Sequence, residues 1–588
     1  MVTGNISSPF SVMEYTSFDI LGRVLAAKQT TDGTAYSTGY IYNLSGALIE
    51  ETYPSGRVVK NTLDEDGSLS QVHSKKTAGD ILRPYATNFT YNAAGAVTQM
   101  RLGNGRWEST QFNSRLQPVQ IGLGSGPTAQ NLLKLDYEYG ATAAVNNGNV
   151  TKQTITVPTV GANTGFTAVQ SYTYDEVNRL KDAVENVTPT GGSASQSWRQ
   201  AFTFDRYGNR NFDEANSTTL PKNCGTAPNL VVCEADRKVV NPSADAANNR
   251  FSAGQGYVYD AAGNTIADAN GQTYFYDAEN KMVTASNASG TLGQYTYDGD
   301  GKRIKKFVPS TGETTVFAYD ASGKMVAEYS TNVEPVATAK VNYLTTDHLG
   351  SPRINTDATG NVTARHDYHP FGEEIATSQR TVGLGYAADT VRKQFTGYER
   401  DNEVGLDFAQ ARYYSSKLGR FYSVDPESAG AIEDYPQSWN AYAYVGNNPL
   451  NFTDPDGEKW KVCDNQRNCI EISDAEANRT LFNRKNVAPE IRREKGKIYD
   501  EDGSLAGTYT RISFDDLSDT ANAMIFGPNS IGEQGIKKGK LVEALAGGAV
   551  VVGACIGSGV CPAAAAAAAP FLLRSAGKAL SYSAKITR

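Results

Sequence analysis

The sequence predicts a mainly β chain, assembled from repeated hairpins that stack into one long sheet. Three observations carry this. A short motif recurs as far as Ser330: aromatic-x-aromatic-Asp, two or three residues, Gly or Asn, then a basic residue. Tyr, at 33, outnumbers Phe, at 21, in a chain only 39% hydrophobic, which suits half-buried strands whose tyrosines bury a ring and keep the hydroxyl wet. The 56 glycines supply turns.

Six copies are clear: Tyr172-Thr173-Tyr174-Asp175, Phe202-Thr203-Phe204-Asp205, Tyr257-Val258-Tyr259-Asp260, Tyr274-Phe275-Tyr276-Asp277, Tyr295-Thr296-Tyr297-Asp298 and Phe317-Ala318-Tyr319-Asp320. Weaker copies begin near Phe18, Tyr42 and Tyr91. Residues two apart in a strand share a face, so both aromatics point one way. The Asp hydrogen-bonds backbone amides two residues on, Gly or Asn supplies the positive φ, and the basic residue opens the return strand. One such hairpin cannot keep its aromatic face dry, and stacking neighbours does. These Tyr and Asp residues read as structural, not catalytic. Segments 120–170 and 185–250 break the period and read as loops, elongated hairpins or bulges of the same sheet.

The net charge of −8 offers no basic field for nucleic acid or anionic lipid. Six cysteines form three local pairs, Cys224/Cys233, Cys463/Cys469 and Cys555/Cys561. Small disulfide loops and free thiols both fit that spacing, and no pair has zinc-site company. The first twenty residues lack a basic segment followed by an apolar run, so no signal peptide is read; export by another route, or a place at the tail of a longer protein, is expected.

Residues 341–375 bridge the repeats to an aromatic-rich segment and hold three of the four histidines, His348, His366 and His369. Three-residue spacing puts His366 and His369 on opposite faces of a strand, which argues against a shared metal. No cofactor motif appears: there is no phosphate-binding Gly-Lys loop and no dinucleotide fingerprint.

Residues 392–457 are dense in aromatics, Gly, Asn, Asp and Pro. Four ordered blocks stand in them: Gly405-Leu406 to Arg412-Tyr413-Tyr414, Gly419-Arg420-Phe421 to Asp425-Pro426, Asn440 to Asn448-Pro449, and Asp454-Pro455-Asp456-Gly457. They resemble the core segment of RHS-repeat (YD-repeat) proteins, and with the upstream repeats the resemblance covers about three quarters of the chain. It implies a spiral β-sheet shell stoppered by a core plug and enclosing a variable C-terminal segment, often a toxin. It also implies an aspartyl self-protease cutting just after Asp-Pro-x-Gly-Leu. By motif position Arg412 is the orienting cation, and Asp425 and Asp454 are the carboxylate pair. Such chemistry needs one carboxylate ionised to activate water and one protonated to polarise the carbonyl. This chain has Glu458 where the pattern has Leu. The alternative is that both Asp-Pro units only form turns and Arg412 only pairs ions.

After Gly457 the character changes. Segment 458–540 is charged and reads as mixed α/β, with a hairpin turning at Asp502-Gly503 and a helix starting at Ser513. It has no histidine, which argues against His-based nuclease or transferase chemistry. The basic cluster from Arg492 to Lys497 reads as a solvated face. Ala544 to Leu573 carries no charge over thirty residues, long enough to cross a bilayer, though Pro562 divides it.

The expected organisation is a repeat shell over 1–340, a core plug over 341–457, a variable region over 458–540, and an apolar Ala/Gly-rich helical segment with tail over 541–588. Two functions are expected. One is an RHS-type toxin fragment, secreted, with its own C-terminal segment as enclosed payload and an immunity protein and secretion machinery as partners. The other is a cell-surface structural or adhesion protein held in the membrane through 544–573.

Overall fold

The computed structural model describes residues 2–5, 8–332, 340–387, 389, 391–426 and 436–458, with two further hairpins, Lys461–Cys463 with Cys469–Glu471 and Lys495–Tyr499 with Leu505–Thr510. The chain divides into two compact units, Met1–Ala475 with Ala576–Arg588, and Glu476–Ser575. In the second unit the described strands flank the predicted Asp502-Gly503 turn. The Ser513 helix, the basic residues Arg492 and Arg493, the Cys555/Cys561 pair and the apolar run 544–573 lie outside the described residues. Among the described residues no helix is long and apolar enough to cross a membrane.

The first unit is mainly β, as predicted. Its described residues form two long antiparallel meanders. Seventeen strands run from Val2–Asn5 to Arg210–Phe212, each paired with the next in sequence. Eight more run from Val258–Tyr259 to Met325–Ser330 in the same manner. The expected single sheet is therefore two. The interruption falls at 213–257, where the chain leaves the ladder for the hairpin Cys224–Thr226/Asn229–Val231, closed by the Cys224–Cys233 disulfide, and the helix Glu234–Val240. Segment 120–170, by contrast, stays in the ladder as regular strands such as Leu133–Glu138 and Lys152–Val157.

One repeat shows how the sequence makes the fold. Asp175 Oδ1 accepts the N–H of Val177 at 3.1 Å and of Arg179 at 2.9 Å, and Asn178 takes the turn at φ 63°. Arg179 Nε donates to Asp175 Oδ2 at 2.6 Å, and its guanidinium lies 4.4 Å from the ring of Phe204 in the next repeat. Asp19 and Arg23 do the same, with Arg23 over Tyr42. The second aromatic corrects the expectation of wet hydroxyls. Tyr174 donates to the Val150 carbonyl at 2.7 Å, Tyr297 to Met282 at 2.8 Å and Tyr319 to Arg303 at 2.8 Å. Tyr297 and Tyr319 thus reach back to the preceding return strand, and Tyr174 to the chain just before Lys152–Val157, each satisfying a carbonyl there and fixing the stacking register.

The bridge and core pack on these meanders. Ile354, Phe371, Ile375, Leu384 and Leu450 join the apolar face of the first meander. Val404, Leu406, Tyr413, Leu418 and Tyr422 join Tyr274, Met282, Tyr295 and Tyr297 of the second. Within the core, Tyr414 and Tyr444 are fully buried with ring centres 4.6 Å apart, amid Phe395, Tyr398 and Phe421. Burying a ring of this size contributes about 2–3 kcal/mol, and each ring pair adds roughly 1 kcal/mol.

Candidate functional site

The core's four-stranded sheet, Glu399–Asp401, Leu406–Ala409, Arg412–Ser415 and Arg420–Phe421, carries Arg412, and the segments after it bring Asp425 and Asp454 to the same place. Arg412 opens the third strand and is buried. Its guanidinium lies 3.7 Å over the ring of Phe421 on the neighbouring strand. Arg412 Nη2 stands 3.0 Å from Asp454 Oδ2 and 3.3 Å from Asp425 Oδ2. Both aspartates are buried, Asp454 completely. One guanidinium therefore bridges two carboxylates that are far apart in sequence.

The same guanidinium grips the Asp-Pro-x-Gly turn itself. Arg412 Nε donates to the Gly457 carbonyl at 2.5 Å, and the Gly457 N–H donates to Asp454 Oδ1 at 2.9 Å. Gly457 takes φ 73°, and a Cβ there would stand 2.4 Å from the Ala409 carbonyl oxygen, so only glycine fits. The Tyr398 hydroxyl donates to the Asp454 carbonyl, and the Ala411 N–H donates to Asp456 O at 2.9 Å. Glu458 is exposed, its N–H donating to Asp456 Oδ1 at 3.2 Å. Burial lowers the pKa of Lys281 in a nearby repeat turn, and the Glu458 carboxylate acts against that. The departure from the pattern thus points its charge towards solvent and a wall cation.

Sequence reasoning missed the main-chain partners. Arg412 Nη1 donates to the Ala441 carbonyl at 3.1 Å, and the Asp425 N–H donates to the same oxygen at 3.0 Å. Neither a backbone carbonyl nor the role of Tyr398 leaves a mark in the motif spacing. The Asn440 block, quoted only as a family signature, was the available signal.

Among the described residues no group of three or more His, Cys, Asp or Glu is arranged to hold a metal ion. His366 lies past the end of its strand. Burial disfavours its charge, but hydrogen bonds to Asp389 at 3.3 Å and Glu374 at 2.8 Å outweigh that and raise its pKa to about 9. His369 is held neutral by burial, its pKa lowered to about 3, with its ring edge-on to Trp198 at 4.5 Å.

Comparison with known proteins agrees with this architecture. The Teneurin YD-shell family model matches residues 145–450. The tRNA nuclease WapA of Bacillus subtilis is 29% identical over 285 residues, covering 44% of this chain and 11% of that protein. The toxin subunit YenC1 of Yersinia entomophaga is 23% identical over 452 residues, covering 71% of this chain and 42% of that protein. The crystal structure of TcdB2-TccC3 without its hypervariable C-terminal region superposes with a TM-score of 0.59 at 19% identity, covering 76% of this chain and 24% of that one, and shares the fold. The chain spans less than half the length of each of these relatives. With a family model matched over more than half its length, this chain belongs to the YD-shell family.

Proposed function

We propose that this chain is a toxin-type shell protein that carries residues beyond Glu458 as its payload and frees them by cutting itself after Glu458. The observation that carries this reading is the Arg412 guanidinium. It holds Asp425 and Asp454 together and binds the carbonyl of Gly457, one residue before the cut. Of two carboxylates facing one cation, one stays ionised and takes a proton from water, while the other, protonated, polarises the scissile carbonyl. Water adds to that carbonyl, and the amine of Lys459 leaves with the proton. The relatives named as toxins and nucleases support the toxin half of this reading.

Purified full-length chain is expected to resolve into two polypeptides, the smaller beginning at Lys459, found by intact mass and N-terminal sequencing. Asp425→Asn and Asp454→Asn are each expected to remain one chain. A wild-type chain that stays whole after folding overturns self-cleavage. A cut that persists in both variants overturns the assignment of residues.

A further inference from the structure

The stretch Asn440-Ala441-Tyr442 faces two ways. Its main chain serves the site. The Ala441 carbonyl accepts both Arg412 Nη1 and the Asp425 N–H, and the Tyr442 carbonyl accepts the N–H of Phe421 at 2.9 Å, whose ring underlies Arg412. Its side chains serve the repeat wall. Asn440 Nδ2 donates to Asn209 Oδ1 at 3.0 Å, and Asn209 sits in the turn opened by Asp205, bonded through Nδ2 to Asp205 Oδ2 at 2.8 Å. The Tyr442 hydroxyl donates to the Gly263 carbonyl at 2.7 Å, in the turn opened by Asp260. Asn440 and Tyr442 are both buried. The two turns belong to different meanders, one at the end of the first and one at the start of the second.

We propose that Asn440 and Tyr442 are positioning residues that hold the site in register with two repeat turns, so that Arg412 and Asp425 come together only once both turns have folded. The consequence for cleavage rests on the self-cutting function proposed for this chain; the register itself does not. One carbonyl oxygen accepts two donors from the site, so any shift of residue 441 moves both. A displacement near 1 Å costs a catalytic arrangement about a hundredfold in rate. The two residues that reach the wall turns flank residue 441 on both sides in sequence, and each does so through a buried hydrogen bond. A chain still folding its repeats therefore lacks a competent site, and cutting waits for the wall.

The test uses the full chain with Asn440→Asp, Asn440→Ala, Tyr442→Phe and the wall variant Asn209→Ala, which lies outside the site. Asn440→Asp keeps the volume but replaces the donor with an acceptor. Each variant is expected to slow self-cleavage roughly tenfold, the loss of one buried hydrogen bond acting on position. Asn209→Ala with Asn440→Ala is expected to be no slower than either alone. Asn440→Asp is expected to recover as pH falls and the introduced, buried carboxyl takes up a proton and donates again, while Asn440→Ala stays slow at every pH. Ile155→Val, a mild destabilisation of the wall at a buried position of Lys152–Val157, makes no hydrogen bond to residues 440–442 through its side chain and is expected to cut at the wild-type rate.

Amide exchange reads the register without cleavage. In the Asp454→Asn background the Asp425 and Phe421 amides are expected to exchange about fivefold faster when Asn440→Asp or Tyr442→Phe is added. Wild-type exchange in both variants overturns the proposal, whether or not the chain cuts. Faster exchange in a chain that never cuts upholds the positioning role of Asn440 and Tyr442 and removes the cleavage reading instead.

Discussion

Gln29 and Tyr319 are joined across the two meanders. The Gln29 side-chain oxygen accepts the Tyr319 N–H at 3.1 Å, and its amide nitrogen donates to the Phe317 carbonyl at 2.9 Å. The ladder between Arg303–Val308 and Glu313–Tyr319 reaches only Val316, and past that point one side chain takes the place of a strand. The same seam carries the Tyr40 hydroxyl accepting from the Ala321 N–H at 2.8 Å, and the Tyr329 hydroxyl accepting from Ser55 N–H at 3.0 Å. Gln29→Leu leaves a part-buried N–H and a buried carbonyl without these partners. It is expected to cost about 2–4 kcal/mol of stability by denaturant unfolding, with faster amide exchange at Tyr319.

Glu51 lies beside this seam, fully buried, with neither carboxyl oxygen hydrogen-bonded. Burial first, and the repulsion of Asp320 second, raise its pKa to about 8, with Lys324 pulling the other way. Because the folded value exceeds the unfolded one, Glu51 favours the fold below about pH 4.5, and that support is lost as pH rises to 8. Linkage at about 1.4 kcal/mol per pH unit sets the loss at roughly 3–5 kcal/mol. Glu51→Gln should match wild type at pH 4 and exceed it by that margin at pH 8 in paired urea titrations.

Arg303 fastens the core to the second meander. Its Nη1 lies 2.5 Å from Asp401 Oδ2 and its Nη2 3.0 Å from Glu399 Oε1, while Lys306 Nζ is 2.7 Å from Asp401 Oδ1, all buried. Arg303→Met takes from two buried carboxylates the guanidinium that bridges them, leaving Lys306 as the cation beside both, and should destabilise by about 3 kcal/mol. Burial acts to raise Glu399, but Arg303, Arg392, Lys393 and Lys306 together hold its carboxyl below the usual range. Its folded value being the lower, the stability it lends is present above the unfolded value near 4.5 and disappears as pH falls below that. Wild type should therefore lose stability on acidification more steeply than Glu399→Gln.

Gly457→Ala tests the turn that precedes the proposed cut. The added Cβ meets the Ala409 carbonyl oxygen, and the backbone sits at positive φ, so the turn must move. A penalty of about 2 kcal/mol in stability is expected, measured by thermal unfolding. Self-cleavage should fall about a hundredfold by gel densitometry, since Arg412 then loses the Gly457 carbonyl.

The sequence by itself determined the hairpin. Asp175, Asn178 and Arg179 need only each other to make the turn, and the two-residue spacing of Tyr172 and Tyr174 settles which face is buried, because these are contacts within a few residues. The family resemblance of its motif blocks also marked Arg412, Asp425 and Asp454, which stand together in the structure. The long-range partners were decided by the tertiary structure alone. Gln29 against Tyr319, Asn440 against Asn209, and the tyrosine hydroxyls turned from water onto carbonyls of the preceding unit all join residues distant in the chain. The break at 213–257 belongs there too. Local pattern records what a segment prefers; which backbone groups are left over for a side chain to satisfy depends on where every other strand ends.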